Sequence, residues 1–292
     1  MSEARNDRTS GEWETLRPVE NPEPPMLADR YRVVRRLGEG GMGSVWLAED
    51  TKLDNRKVAV KMLPAVLAGK KAACRLVKQE ALTAMKLSHP NIATVRTFEE
   101  DAGNPFLVMD YIEGRGLDDI LGDQGALPEA VALKLLAPVA AALDYAHGKG
   151  VVHRDVKPGN VIVRKDGTPF VLDFGIAREI QETVTRMTGR SPGGTLLYMS
   201  PEQLRGEILD CRTDIYSLGV LVHQLLTGRT VNAPDATVQD MAFRPRPPIE
   251  GLPQPLADVI ACATAFSPAD RWESMERFGA AFAAAAAKAD AR

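Results

Sequence analysis

Cysteine is scarce. Cys74, Cys211 and Cys262 are the only three in 292 residues, widely separated and with no CxxC spacing, which excludes a disulfide framework and a thiolate zinc site and reads as reduced thiols. A basic excess is also lacking: the formal net charge is −3 and the pI about 5.9, so nucleic acid is not an expected partner. Long hydrophobic runs are missing near both ends. The longest apolar stretch near the C-terminus, Gly279 to Ala287, is mostly alanine and far too short to cross a bilayer, and the N-terminus has no basic-then-apolar leader. These absences lead us to expect a soluble, cytoplasmic chain without a membrane span.

What is present is enough apolar material to fold. Hydrophobic residues make up 45% of the chain, and its length suits one large domain or two lobes around a cleft. Residues 1–28 stand apart: they are polar, with Pro18, Pro22, Pro24 and Pro25 close together. Such a composition cannot bury enough surface to offset its ordering entropy and reads as a flexible tail.

The densest chemistry lies between Val151 and Gly175, VVHRDVKPGNVIVRKDGTPFVLDFG. Val161-Ile162-Val163 has the β-branched density of a short strand, Asp166-Gly167 supplies a tight turn, and Phe170-Val171-Leu172 returns to Asp173-Phe174-Gly175. This arrangement brings Asn160 and Asp173 to neighbouring strand ends. An amide oxygen and a carboxylate suit Mg²⁺, which keeps much of its octahedral shell for water and phosphate oxygens. Asp155 can orient an attacking hydroxyl and accept its proton, and Lys157 can offset charge on a moving phosphoryl group. Loop aspartates also commonly cap turns. Against that reading, His153, Arg154, Asp155, Lys157 and Asn160 would fall together by accident in about one window in three million.

Upstream, Tyr31 to Val34 and Val45 to Ala48 read as strands flanking Leu37-Gly38-Glu39-Gly40-Gly41-Met42-Gly43-Ser44-Val45. Gly38, Gly40 and Gly43 leave backbone N–H groups free to approach phosphates. The GxGxxG spacing alone also marks dinucleotide folds, but those open a helix, whereas Val45-Trp46-Leu47 continues as a strand. Val58-Ala59-Val60-Lys61 places a lysine at the end of an apolar run. A helix over roughly 71–87 carries Glu80, with Leu76, Val77, Ala84 and Leu87 as its apolar side. Strands over 93–98 and 106–109, joined by a Gly103-Asn104-Pro105 turn, complete an expected five-stranded antiparallel sheet. Further on, a helix from Leu127 to His147 has Pro128 in its first turn and Pro138 as a kink. Asp214 opens a helix to Thr227. Trp272, Met275, Phe278 and Phe282 form the core side of a last helix, while 228–248 shows little helical periodicity.

HRDVKPGN followed by DFG resembles the catalytic and magnesium loops of the eukaryotic-like (Hanks-type) serine/threonine protein kinases of bacteria. The likeness implies an α+β, bilobal fold over residues 29–285: a small antiparallel β lobe with one helix (29–109), a hinge (110–116) and a mainly helical lobe (117–285), followed by a short tail (286–292). It implies ATP and Mg²⁺. Asp155, Lys157, Lys61 and Glu80 would be catalytic, and Asn160 and Asp173 would hold the metal. Leu37, Gly38, Glu39, Gly40, Gly41, Met42, Gly43, Ser44, Val45, Ala59, Lys61, Asp110, Ile112 and Ile162 would bind nucleotide, with Met109 as gatekeeper. The expected substrates are proteins bearing Ser or Thr. Self-phosphorylation among Thr183, Thr185, Thr188 and Ser191, through a homodimer, would let Arg154 hold the phosphate, and Thr195 would bond Asp155 and Lys157. Asp214 would hold the His153-Arg154 turn, and Arg271 would pair with Glu202. The rival is an inactive nucleotide-binding scaffold, whose hallmark would be loss of Lys61, Asp155, Asn160 or Asp173. All four are present.

Overall fold

A computed structural model describes residues 25–40, 43–64, 67–174, 196–232 and 236–290. Within them the chain divides into two units, one made of 25–85 and 94–111, the other of 86–93 and 112–290.

The first unit is built on alternation. β1 (Met26–Leu27), β2 (Tyr31–Gly40), β3 (Gly43–Asp50), β4 (Arg56–Met62), β5 (Val95–Asp101) and β6 (Asn104–Asp110) form an antiparallel sheet in the order β1-β2-β3-β4-β6-β5. It therefore has six strands where five were expected. The extra one lies in the segment assigned to the tail: Leu27 pairs with Tyr31 and is buried, an anchor too short to give a periodic signal. One face packs Leu27, Tyr31, Val33, Trp46, Ala48, Val58, Val60, Met62, Phe106 and Val108 together. Burying ten such side chains, at about 1.5–3 kcal/mol for each large one, is what offsets the ordering of this sheet. The β5–β6 turn is Ala102-Gly103, not Gly103-Asn104-Pro105. Both turn residues have positive φ, 47° and 82°, the hairpin geometry that matches strand twist, and Asn104 and Pro105 belong to β6.

α1 (Lys71–Ala84) is shorter than the expected 71–87. Its buried stripe is Val77, Ala81 and Ala84, at i, i+4 and i+7; Leu76, expected on that side, is 42% exposed, because it sits one residue, or about 100°, off the stripe.

The second unit is mostly helical. β7 (Arg115–Gly116), β8 (Val161–Val163) and β9 (Pro169–Val171) make a small sheet beside α2 (Leu117–Gln124) and α3 (Glu129–Gly148). α4 (Pro201–Leu204), α5 (Arg212–Thr227), α6 (Val238–Phe243), α7 (Gln254–Ala263) and α8 (Met275–Asp290) follow. α3 runs as one continuous helix through Pro138. It is apolar and long enough to span a membrane by composition alone, but eight of its side chains, including Leu136 and Leu143, are buried in this unit. Met275, Phe278 and Phe282 are fully buried on the inner side of α8, as their spacing requires. α5 and α7 approach closely at Gly219, where a Cβ would stand 2.8 Å from Thr264 Cγ2 and 2.9 Å from Ala263 Cβ.

Between 228 and 248 one element went unseen in the sequence. α6 is capped by Thr237, which accepts from Asp240 N while Asp240 accepts from Thr237 N. Six residues are too few to show a period.

Candidate active site

The hairpin β8–β9 and the loops at its ends assemble the second unit's polar cluster. Within the connection Arg164 N donates to Thr168 O, Gly167 sits at φ +86°, and Thr168 N donates to Asp166 Oδ1, so Asp166-Gly167 turns the chain as its residue types require. Leu172 N donates to Asn160 O at 2.9 Å, which fastens the end of the second strand to the start of the first.

His153 locks the two loops together. Its Nε2–H donates to Leu172 O at 2.7 Å, and its Nδ1 accepts from Asp155 N at 3.2 Å, a pattern that fits the neutral ring with the proton on Nε2. The ring also packs on Phe174, with centroids 4.6 Å apart. Two side-chain-bearing residues here take left-handed backbone: Arg154 at φ +68° and Asp173 at φ +59°. Non-glycine residues adopt this region only when their surroundings impose it.

The surroundings of Arg154 include Asp214 on α5. Its Oδ2 accepts from His153 N and its Oδ1 from Arg154 N, each at 2.8 Å, and Oδ2 also accepts from His147 Nε2 at 2.7 Å. Burial alone would raise the pKa of this fully buried carboxyl. The hydrogen bond from His147, with the backbone N–H of His153, outweighs burial and holds it below the ordinary carboxylate value. Asp214 thus acts as the anticipated clamp on the turn. His147 was not singled out in the sequence; it ends a long apolar helix, where a lone histidine gives no signal. Gln203, whose Nε2 donates to Arg154 O at 2.8 Å, was missed as well.

Asp155 is 6% exposed and its two oxygens differ. Oδ2 accepts from Asn160 Nδ2 and from Lys157 Nζ, both at 2.8 Å. Oδ1 is buried with no hydrogen-bond partner among the described residues, an arrangement that normally needs an explanation. Asn160 directs its amide nitrogen to Asp155 O and Oδ2, which leaves its amide oxygen as the available donor to a cation. No group of three or more His, Cys, Asp or Glu side chains able to hold a metal occurs among the described residues. Asp173 lies two residues beyond the end of β9 with its backbone at φ +59°.

The first unit carries the other anticipated residues. Lys61 is 4% exposed on β4, in register with Val45 and Leu107. Glu80 is half-buried on α1, one turn from Val77. Gly43 has φ +114°, and a Cβ there would stand 1.9 Å from Met62 O, so only glycine fits. Leu37, Gly38, Glu39 and Gly40 lie on β2, Ser44 and Val45 on β3, and Ala59 on β4; Gly41 and Met42 fall outside the described residues. Met109, buried, pairs with Ala59, and Asp110 turns its carboxylate to Arg96 at 2.7 Å. In the second unit Ile112 and Ile162 pack with Ala93 and Phe170. Thr183, Thr185, Thr188, Ser191 and Thr195 also lie outside the described residues.

The sequence matches the family model described as Protein kinase domain over residues 31–274. It is 38% identical over 262 residues to serine/threonine-protein kinase PknB of Mycobacterium leprae, covering 86% of this chain and 42% of the relative. It is 37% identical over 265 residues to PknL of Mycobacterium tuberculosis, covering 88% and 66%. Among solved structures, the PknI kinase domain of Mycobacterium tuberculosis is similar at 29% identity with a TM-score of 0.70, covering 90% of this chain and 98% of that one. The chain spans about two fifths of the length of the PknB-type relatives it matches.

Proposed function

The chain belongs to the protein kinase family, and from that membership we propose that it transfers the γ-phosphate of ATP to serine or threonine hydroxyls of proteins in the cytoplasm, using Mg²⁺. The observation that carries the reading is the asymmetry of Asp155: one oxygen fixed by Lys157 and Asn160, the other buried and unpartnered. A carboxylate oxygen held this way is ready to take a hydrogen bond, and then a proton, from an alcohol.

The remaining assignments are those that the family resemblance implies. Asn160 and Asp173 would hold the metal, whose charge, when bound, offsets that of the transferring phosphate. The backbone of Gly38, Gly40 and Gly43 and the ammonium of Lys61 would bind phosphate oxygens, with Glu80 orienting Lys61. Lys157, already on Asp155 Oδ2, would offset negative charge beside the acceptor. Leu37, Val45 and Ala59 in the first unit and Ile162 in the second would be nucleotide-binding, and the backbone of Asp110 and that of Ile112 would be available to the adenine edge. Arg154 would receive a phosphate placed on Thr188 or its neighbours by a second copy of the chain. The lobe, hinge and tail boundaries at 28, 109, 116 and 285 belong to this same proposal. Such a site works by positioning and electrostatics, since phosphoryl transfer asks for little covalent help.

The test is phosphate transfer by the purified chain with ATP and Mg²⁺, followed by mass-spectrometric mapping of acceptors. Phosphoserine or phosphothreonine that Asp155→Asn fails to form supports the kinase reading. Nucleotide binding without transfer to itself or to a basic protein would point to the inactive scaffold.

A further inference from the structure

Gln203 grips the chain immediately before Asp155. Its Nε2 donates to Arg154 O at 2.8 Å, and that carbonyl belongs to the peptide joining Arg154 to Asp155. The N–H of the same peptide donates to His153 Nδ1 at 3.2 Å. The peptide plane that carries Asp155 is therefore held at both edges, by His153 from within the loop and by Gln203 from α4. Arg154 itself is left-handed, with its N–H on Asp214 Oδ1, so both of its backbone polar groups end on side chains.

The other end of the Gln203 amide closes the cap of α4. Its Oε1 accepts from Ser200 N at 3.0 Å, while Gln203 N donates to Ser200 Oγ. The partners fix which way the amide faces, because Ser200 N can only donate and Arg154 O can only accept. The base of this grip is firm: the adjacent Glu202 is buried on Arg271 and Thr213. Capping does not explain the amide, however. Glutamate closes the same reciprocal cap, and the free N–H groups of a first turn favour its charge. The one contact an ionised glutamate cannot make is the donation to Arg154 O, where its oxygen would face another oxygen.

We propose that Gln203 is a positioning residue for phosphoryl transfer: its amide N–H fixes the Arg154–Asp155 peptide, and through it the aim of the Asp155 carboxylate. The inference rests on the kinase reading above. Lys157 and Asn160 hold Asp155 Oδ2, which orients the carboxylate; Gln203 holds the backbone from which that carboxylate projects. An Asp155 released at its backbone still accepts protons but meets the hydroxyl off line. The loss therefore falls on kcat and not on nucleotide binding.

The experiment measures kcat, KM for ATP and melting temperature of the full chain and of Gln203→Glu, Gln203→Met and Ser200→Ala, with Mg²⁺ and a basic protein as acceptor. At about pH 8, Gln203→Glu should lower kcat about tenfold, the scale of one lost hydrogen bond, with KM for ATP near that of the parent. Toward about pH 5.5 the introduced carboxyl takes up a proton, because its charged form faces the Arg154 carbonyl. Its O–H then donates in place of the amide, and the ratio of variant to parent kcat should climb toward one. Gln203→Met, which neither donates nor titrates, should stay low at every pH. The charged groups around residue 203, Arg154, Asp214, Glu202 and Arg271, are common to all four chains, so the ratio isolates that residue. Ser200→Ala, which weakens the cap and leaves the grip on Arg154, should melt earlier yet keep its kcat. A ratio that stays flat with pH, a Gln203→Glu chain with parental kcat at about pH 8, or a loss in Ser200→Ala equal to that in Gln203→Met overturns the assignment and leaves the kinase reading standing. Failure of both residue 203 variants to fold overturns it too, since the role would then be structural. A parent that transfers phosphate neither to itself nor to the basic protein overturns both readings.

Discussion

Arg271 holds Glu202 through two N–H···O bonds, Nη1 to Oε1 at 2.6 Å and Nη2 to Oε2 at 2.8 Å, with both side chains almost wholly buried. Thr213 Oγ1 donates to the same carboxylate at 2.8 Å. Removing the arginine leaves a buried charge with one neutral donor, so Arg271→Met should destabilise the chain by about 3–5 kcal/mol. Burial by itself would raise the pKa of Glu202, but the bonds and charge of Arg271 hold it below the ordinary value. A lowered folded-state pKa means the contribution is complete above the unfolded pKa, about 4.3, and is lost as pH falls through the folded one. Urea midpoints of parent and variant should therefore differ most near pH 7 and converge toward pH 3. A gap independent of pH would contradict the account.

Asp214 supplies an acceptor to each of two adjacent backbone N–H groups and to His147. An asparagine can offer an oxygen to one side only, and its amide N–H groups would then point at another donor. Asp214→Asn should cost about 3 kcal/mol and loosen the left-handed turn at Arg154. The expected signature is a lower melting temperature together with a fall in kcat larger than any rise in KM for ATP. An unchanged kcat would show that the turn holds without its clamp.

Much of this was legible in advance, for identifiable reasons. The cluster from His153 to Asp173 is contiguous, and residues such as Asn160, Asp166 and Gly167 have few alternative uses at that spacing. The Glu202–Arg271 pair, 69 residues apart, was reached through resemblance and not through any local pattern. What escaped were features without a period or a motif: Leu27, whose pairing is two residues long; α6, held by a single reciprocal cap; His147, an isolated side chain at the end of an apolar helix. Leu76 failed differently. It satisfied an apolar pattern beside Val77, and only the direction of the buried stripe through Ala81 decides between them.

Gly43 combines φ +114° with a Cβ position 1.9 Å from Met62 O. Gly43→Ala must pull β3 away from β4 at the register rows that include Val45 and Lys61. A cost above about 1 kcal/mol is expected, with weaker ATP binding measured by calorimetry. Gly38, whose Cβ would meet nothing within 4 Å, provides the internal comparison: Gly38→Ala should leave the melting temperature much closer to that of the parent. Equal melting temperatures for the two variants would contradict the steric argument.

Asp155→Asn tests the chemistry most directly, because the neighbours of residue 155 dictate which way an amide must face. Lys157 Nζ and Asn160 Nδ2 both donate toward the Oδ2 position, so the amide oxygen has to occupy it. The NH₂ group is then left at the Oδ1 position, where the parent has a buried acceptor without a partner. The substitution changes almost no volume and keeps both neighbouring hydrogen bonds, yet it replaces the free acceptor by a donor. Such a group cannot take a proton from an incoming alcohol. Transfer should fall about 10²–10⁴-fold, while the melting temperature and the affinity for ATP stay near those of the parent. Asp173→Asn should behave in the opposite way, losing the dependence of nucleotide affinity on Mg²⁺, since a neutral amide is a poorer ligand for a hard divalent cation. If Asp155→Asn retains transfer within a few-fold of the parent, the proton goes elsewhere, and the asymmetry of the Asp155 carboxylate has no catalytic meaning.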